Sequence, residues 1–301
     1  MPIELDRAGP CTGPAPTVSG MNGSSAQNEI VSAWGDPMRR HLETPHLLPL
    51  RPGTALEDIA RNAGPAMEEA RGYLAEICPD EEGLADRTVL IVEGTPLLPF
   101  LMARRGALPT VVTRSSRYAA FLGACARQKR VEESVTVLKG ALGVISLSGQ
   151  FDHVVGSAAL YNPELEPTLG ALLGLTGETL HLFWPESPPP QIRFLAAQWP
   201  GVHGSPYVDP PYASDLIGAL RLLGHEPSVA SAEVSEPVIY PTIGDAVVDC
   251  AARMGGIDSR GENHLRRALR TALTMGNEGL RFRGTYRRAH IVIRAGAARG
   301  E

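Results

Sequence analysis

Cysteine is scarce in this 301-residue chain, and its pattern excludes the common cysteine-based sites. The four cysteines are Cys11, Cys78, Cys125 and Cys250, and no two of them form a C-x-x-C pair. None lies at metal-ligand spacing from a histidine, so we expect no zinc site and no redox pair. Free cysteines without a disulfide framework are typical of a reducing compartment, and we expect a cytoplasmic protein with no bound metal.

Clustered positive charge is also lacking. The net charge is −5, and nucleic-acid binding requires grouped Lys and Arg, so we expect no nucleic-acid partner. The one basic group, Arg266 to Arg270 with Arg281 to Arg288, lies among apolar residues, and we interpret it as a solvated helix face and strand edge.

Long apolar runs and an N-terminal leader pattern are absent as well, so we expect no membrane span and no signal peptide. The sequence contains no H-E-x-x-H, G-x-S-x-G or P-loop motif.

The N-terminal part of the chain divides into two segments. Residues 1–30 are rich in Pro, Gly, Ser and Asn and are predicted to be a disordered tail. Residues 31–85 are predicted to form a helical lid, because ALEDIARNAGPAMEEARGYLAEI places its apolar residues at helical spacing. Thr54 and Glu57 match a capping box, and Gly64-Pro65 should break or kink the helix.

From residue 87 onward, apolar strands alternate with helices. The predicted strands are TVLIVEG, PTVVTRS, SVTVLKG, FDHVVGSAALY and ETLHLFWP, and TYRRAHIVIRA closes the chain. Continuous apolar strands separated by helices indicate a parallel sheet covered on both faces, which is an α/β fold of the Rossmann-like class. We place this domain at residues 86–301, with an insert at about 185–214.

The order of these segments resembles that of class I S-adenosylmethionine (SAM)-dependent methyltransferases that act on small molecules. VLIVEGTPLLPFLMARRGA is similar to the family's first strand, turn and helix, and FDHVVGSAALYNPELEPTLGALLGLTGETLHLFWP to its fourth-strand region. LRLLGHEPSVASAEV and TYRRAHIVIRA are similar to its late helix and strands. The resemblance implies a seven-stranded methyltransferase sandwich with SAM as cofactor.

Carried over residue by residue, the resemblance gives cofactor-binding positions at the strand ends: Glu93, Gly94, Thr95, Arg114, Gly140, Ala141 and Ser157. Three of these regions depart from the family pattern. Pro96 and Leu97 replace small residues in the first turn, Arg114 stands where an acidic residue usually accepts the ribose hydroxyls, and Gly140-Ala141 replace a polar residue.

Candidate substrate and catalytic residues lie outside the strands. Histidine is the usual general base, and His203 in the Pro- and Tyr-rich loop is a weak candidate, whereas His153 and His181 are interpreted as structural. Aromatic residues could line a substrate pocket or form a dimer interface: Trp34, Phe183, Trp184, Trp199, Tyr207 and Tyr212. Tyr161 is a further substrate-binding candidate.

The departures favour a methyltransferase-family protein of small-molecule metabolism with an impaired SAM site. It would be the partner subunit of an active methyltransferase in a homo- or hetero-oligomer, or a repurposed non-methylating homologue. An active SAM-dependent O-, N- or C-methyltransferase with a divergent site stays open. So does a nicotinamide-dependent oxidoreductase, in which Arg114 with Ser115 and Ser116 would bind a phosphate. The alternative is a helix N-cap at Ser115 or Ser116.

Overall fold

A computed structural model describes residues 23–43, 63–80, 83–235, 238–277 and 279–295. Within these ranges the N-terminal helices are α1 (Gly23–Ile30), a π-helical segment (Val31–Gly35), α2 (Asp36–Glu43) and α3 (Ala63–Ile77). The predicted tail is therefore too long by the length of α1, and the predicted capping box at Thr54 lies outside the described residues. Gly64-Pro65 falls in the first turn of α3, where proline is tolerated.

A seven-stranded sheet forms the centre of the molecule, in the order β3-β2-β1-β4-β5-β10-β6. The strands are β1 (Thr88–Val92), β2 (Leu108–Thr113), β3 (Thr136–Lys139), β4 (Phe151–Val155), β5 (Thr176–Pro185), β6 (Ser228–Ser235) and β10 (Thr285–Arg294). The first five run parallel, and β10 pairs antiparallel with both β5 and β6. The predicted parallel α/β sheet, closed by an antiparallel last strand, is confirmed.

Helices cover both faces of this sheet, as expected for buried parallel strands. They are α4 (Leu98–Arg104), α5 (Ser116–Lys129), α6 (Leu165–Gly174) and α8 (Ala213–Leu222). Helix α7 (Pro190–His203) follows β5 and packs away from this sheet. A short 3₁₀ turn (Ser157–Leu160) follows β4. Ser115 caps α5, because its Oγ accepts a hydrogen bond from the Tyr118 amide at 3.2 Å, which confirms the N-cap interpretation.

The N-terminal helices are part of the core on one face of the sheet. Ile30, Trp34 and Met38 pack in one apolar cluster with Leu90 of β1 and Leu216 of α8. On the opposite face, α3, α4 and α5 form a second cluster. The helical prediction for the N-terminal region is confirmed, but α1 and α2 pack against the sheet and α8, whereas a lid would lie over a cavity.

A third apolar cluster lies outside the main sheet and is built from two separate stretches of sequence. It combines α7 with α9 (Ile243–Arg253), α10 (Ser259–Ala272) and the small sheet β7-β9-β8 (Ile239–Tyr240, Leu280–Phe282, Leu273–Met275). The predicted insert at 185–214 therefore covers only part of this unit, and the rest lies between β6 and β10. Helix α10 ends at Ala272, and the next three residues form β8.

The described residues contain no helix that is both long and apolar enough to cross a membrane.

Replacement of Leu90 by Ala tests the sheet's central position in the core. Leu90 is fully buried on β1, so Leu90→Ala should lower the free energy of unfolding by about 2–5 kcal/mol in urea denaturation. Val144 is 81% exposed, and Val144→Ala should change it by no more than about 0.5 kcal/mol. Equal effects of the two substitutions would contradict this placement of the core.

Candidate functional site

The turn after β1 contains a residue in an uncommon backbone conformation. Glu93 has a φ of 52°, in the left-handed region that side chains other than glycine rarely adopt. The next residue must be glycine for a steric reason, because a Cβ on Gly94 would lie 2.4 Å from Cγ2 of Ile91. The Tyr118 hydroxyl fixes the turn from α5 by donating a hydrogen bond to the Gly94 carbonyl at 2.7 Å. Strained backbone held from several sides points to a functional position.

The Glu93 carboxylate reaches across to the end of β2. Its Oε1 accepts hydrogen bonds from the Arg114 amide at 2.6 Å and from Arg114 Nε at 3.4 Å, and its Oε2 accepts one from Thr113 Oγ1 at 3.1 Å. The sequence suggested that an acidic group is missing at this strand end. The structure supplies one from the neighbouring strand.

Leu97 does not obstruct this turn. Its side chain is 6% exposed and packs in the apolar cluster beneath α4. The expectation that Leu97 adds bulk to the cofactor position is therefore wrong. Helix α4 begins immediately afterwards, with Pro99 in its first turn, where the missing amide hydrogen has no helical acceptor to lose.

A cavity of about 260 Å³ lies at the carboxyl ends of β1, β4 and β5 and extends to the start of β10. Such strand ends are where open α/β sheets bind ligands. Four predicted cofactor residues line it: Glu93, Gly94, Thr95 and Ser157. The Ser157 hydroxyl also accepts a hydrogen bond from the Phe183 amide at 2.7 Å, which ties the loop after β4 to β5.

The other predicted cofactor residues lie outside the cavity wall. Arg114 contacts Glu93 but its side chain is 72% exposed. Gly140 donates its amide hydrogen to the Thr113 carbonyl at 2.8 Å, and Ile145 packs on its α-carbon, so Gly140 and Ala141 belong to the loop that closes over β3.

Among the predicted pocket aromatics, Tyr161 and Phe183 line the cavity. Trp34 and Trp184 are buried core residues whose rings lie 5.4 Å apart, and their Nε1 atoms donate to the carbonyls of Asn162 and Pro211. These two tryptophans join the N-terminal helices to the sheet and are no part of a pocket wall.

Tyr207 and Tyr212 likewise lie away from the cavity. The Tyr207 ring contacts Trp199 at a centroid distance of 5.6 Å, and the Tyr212 hydroxyl donates to Asp209 at 2.6 Å at the start of α8. Since Trp199 is 2% exposed, these aromatics do not form the exposed surface that was proposed for a dimer.

His203 is not placed to act as a base in this cavity. It ends α7, its ring stacks on Trp199 at 3.9 Å, and its buried Nε2 has no hydrogen-bond partner among the described residues. The prediction of His203 as a catalytic candidate is therefore wrong, because the segment that carries it packs in the third apolar cluster.

Sequence reasoning missed Arg288 of β10, which is central to the far wall of the cavity. Arg288 is 4% exposed, so its interpretation as part of a solvated strand edge is wrong. Its Nη2 pairs with Glu76 Oε1 of α3 at 2.5 Å, and its guanidinium lies 4.0 Å above the Tyr73 ring. The signal in the sequence is alternation in YRRAHIVIR, which puts Arg288 and His290 on one face of a buried strand.

Three histidines form a row beneath this wall, on adjacent strands. His153 Nδ1 lies 3.2 Å from His181 Nε2, and His181 Nδ1 lies 3.0 Å from His290 Nε2. Burial lowers the pKa of His181 to about 3, with the two neighbouring histidines adding to the shift. Burial and the Arg288 charge lower the pKa of His290 to about 4. The three rings lie in a line and do not converge on a point, and no metal-binding cluster occurs in the described ranges.

The buried histidines predict a loss of stability in mild acid. Their pKa values are near 6.5 in the unfolded chain and lower when folded, so below pH 6.5 the unfolded state binds more protons. The free energy of unfolding should therefore fall as the pH decreases from about 6.5 to 4, by up to roughly 1.4 kcal/mol per pH unit for each histidine.

Urea unfolding at several pH values measures this slope. His290→Phe should make it shallower, whereas the exposed His264→Gln, on α10, should leave it unchanged. An unchanged slope in His290→Phe would show that these histidines do not set the acid response.

Comparison with known proteins gives matches only among solved structures. No model of a known family matches the sequence, and no curated protein matches it.

Magnesium protoporphyrin IX methyltransferase (ChlM) from Synechocystis PCC 6803, solved with bound SAH, is 14% identical and aligns over 91% of this chain and 99% of that one, with a TM-score of 0.49. YcgJ from Bacillus subtilis is 14% identical over 75% and 97% of the two chains, with a TM-score of 0.48. A sarcosine dimethylglycine methyltransferase from Galdieria sulphuraria is 10% identical over 76% and 86%, with a TM-score of 0.47.

Proposed function

We propose that this chain binds SAM at the cavity beside Gly94 and transfers its methyl group to a small molecule. The observation that carries the proposal is the Glu93 carboxylate, held at the end of β2 by Thr113 and the Arg114 amide. An acceptor at this strand end is what a bound ribose requires from a nucleotide-binding sheet.

Glu93 has capacity left for a ligand. A carboxylate offers about four acceptor positions, and the three hydrogen bonds described above leave one open. The bond from Arg114 Nε is long, and that side chain is mostly exposed, so a ribose hydroxyl can replace it at little cost.

The rest of the turn suits a close ligand. Gly94 has no side chain to hold the ligand away from the backbone, and Leu97 is directed into the core. SAM, when bound, supplies an electrophilic methyl group. The protein's own contribution would be to align that group with its acceptor and to exclude water, for which Tyr161 and Phe183 are placed in the wall.

A small acceptor molecule fits the size and chemistry of the site. The cavity of about 260 Å³ is lined mainly by apolar and aromatic groups, and the chain carries a net charge of −5. Neither property favours a nucleic-acid acceptor.

One observation favours a second candidate, the impaired homologue or partner subunit. The cavity wall includes no residue from the ends of β2 or β3, so the half of the site beyond Glu93 is not enclosed by the described residues. A second subunit could complete that half, and SAM would then bind only in the mixed complex.

Calorimetric titration of the full chain with SAM tests the proposal. We expect binding in the micromolar range, weakened about tenfold in Glu93→Gln, because the amide cannot replace a charged hydrogen-bond acceptor. Glu133→Gln removes an exposed carboxylate before β3 and should leave binding unchanged.

If the full chain does not bind SAM, the proposal is contradicted. If SAM binding appears when a methyltransferase is co-expressed with the chain, the partner-subunit candidate is supported. Binding of NADPH in place of SAM would support the oxidoreductase alternative.

A further inference from the structure

We propose that Arg288 forms a subsite for the carboxylate of a planar aromatic acceptor, at the end of the cavity opposite Gly94. This inference rests on the proposed function, since it names the substrate class for the same cavity. Its basis is a buried cation, the Arg288 guanidinium, that lacks one hydrogen-bond partner among the described residues.

The Nε atom of Arg288 is a buried donor with no hydrogen-bond partner among the described residues. Leaving such a donor unsatisfied costs free energy, and charged donors cost the most. The side chain is 5% exposed, yet it belongs to the cavity wall. A ligand oxygen in the cavity is therefore the partner that this geometry lacks.

The charge of the guanidinium is maintained in this position. Burial by itself would lower the pKa of Arg288, but Tyr73 and the Glu76 carboxylate outweigh it and raise the pKa. Burial also raises the pKa of Glu69, one turn before Tyr73 on α3, which favours the neutral form of that carboxyl. Glu76 thus provides the negative charge that pairs with Nη2 of Arg288, and Nε has no partner among the described residues.

The surroundings of Arg288 are aromatic. Its Cζ lies 4.0 Å from the centre of the Tyr73 ring and 5.1 Å from that of Phe183, and these two rings meet edge to face at 4.4 Å. The same end of the cavity is lined by aromatic and proline side chains: Tyr73, Phe183, Pro185, Pro189 and Tyr286. Flat apolar walls with one buried cation suit a planar ring that carries an acidic group.

The strand order separates this subsite from the turn at Gly94. β1 and β10 are three strand spacings apart, because β4 and β5 lie between them, which corresponds to roughly 14 Å. Arg288 sits at the start of β10, opposite Pro185 in register. A carboxylate held there belongs to the acceptor molecule, whereas the amino-acid end of SAM would lie near Gly94.

The test uses 4-hydroxybenzoate and its uncharged counterpart 4-hydroxybenzamide as probes, titrated into the full chain without SAM. The wild-type protein should bind the acid about tenfold to a hundredfold more tightly than the amide, which is the value of one charge-assisted hydrogen bond. Arg288→Gln should abolish this preference, and Arg288→Lys should restore part of it.

Matched variants separate recognition from folding. Arg287→Gln removes the neighbouring arginine, which is exposed on the other face of β10, and should keep the full preference. Arg288→Gln leaves Glu76 unpaired, so the charge-neutral pair Glu76→Gln/Arg288→Gln is measured alongside it. Loss of the preference for the acid in both Arg288→Gln and the double variant supports the subsite. A preference for the acid that is retained in the double variant overturns it.

A comparison of ligands separates the two sources of a carboxylate. S-adenosylhomocysteine carries an amino-acid end that 5′-methylthioadenosine lacks. If Arg288→Gln removes the difference between these two ligands and leaves the hydroxybenzoate preference intact, Arg288 binds the cofactor and the inference is overturned.

The results also distinguish failure of this inference from failure of the proposed function. Acid-selective binding in a chain that fails to bind SAM would contradict the proposed function alone. SAM binding without acid selectivity would contradict this inference alone.

Discussion

The ion pair between Arg288 and Glu76 joins two parts of the chain that are 212 residues apart. Glu76 lies near the end of α3, before the first strand, and Arg288 lies on the last strand. A buried pair of this kind adds little net stability, because both ions lose their hydration, but removal of one partner leaves an uncompensated charge. The pair therefore specifies where α3 rests on the sheet, and the far wall of the cavity depends on that position.

The cavity is consequently made by two different kinds of structure. Its near wall is the turn after β1, where Glu93 and Gly94 are set by local backbone geometry. Its far wall is formed by Tyr73 from α3 with Phe183 and Arg288 from β5 and β10, and depends on tertiary packing. The near wall therefore follows from local backbone geometry, whereas the far wall depends on contacts between distant parts of the chain.

This difference explains how much the sequence could predict. The alternation of apolar strands and helices was enough to predict the parallel sheet, and the resemblance added its number of strands. Glu93, Gly94, Thr95 and Ser157 were placed correctly at the cavity because each follows a recognisable strand.

Tertiary placement was beyond these patterns. The sequence does not show that the Glu93 side chain crosses to the end of β2, nor that Leu97 turns into the core, and the interpretation of an impaired site depended on both. Trp34 and Trp184 were assigned from residue type, and His203 from residue type and its predicted loop. Both tryptophans are buried in an apolar cluster, and His203 packs on Trp199. Arg288 was interpreted, with its neighbours, as part of a solvated strand edge. A count of charged residues does not show which face of the strand each residue occupies.

The histidine row has a consequence for where hydrogen atoms reside across the sheet. A neutral imidazole carries one N–H, so each ring in the row can donate to only one side. If His153 donates from Nδ1 to His181 Nε2, then His181 must donate from Nδ1 to His290 Nε2, and His290 Nδ1–H faces Glu76 Oε2 at 4.0 Å. The reverse order would direct a lone pair of His290 at that carboxylate. The Glu76 charge thus favours the first order, which couples a proton position on β4 to a charge on α3 three residue contacts away.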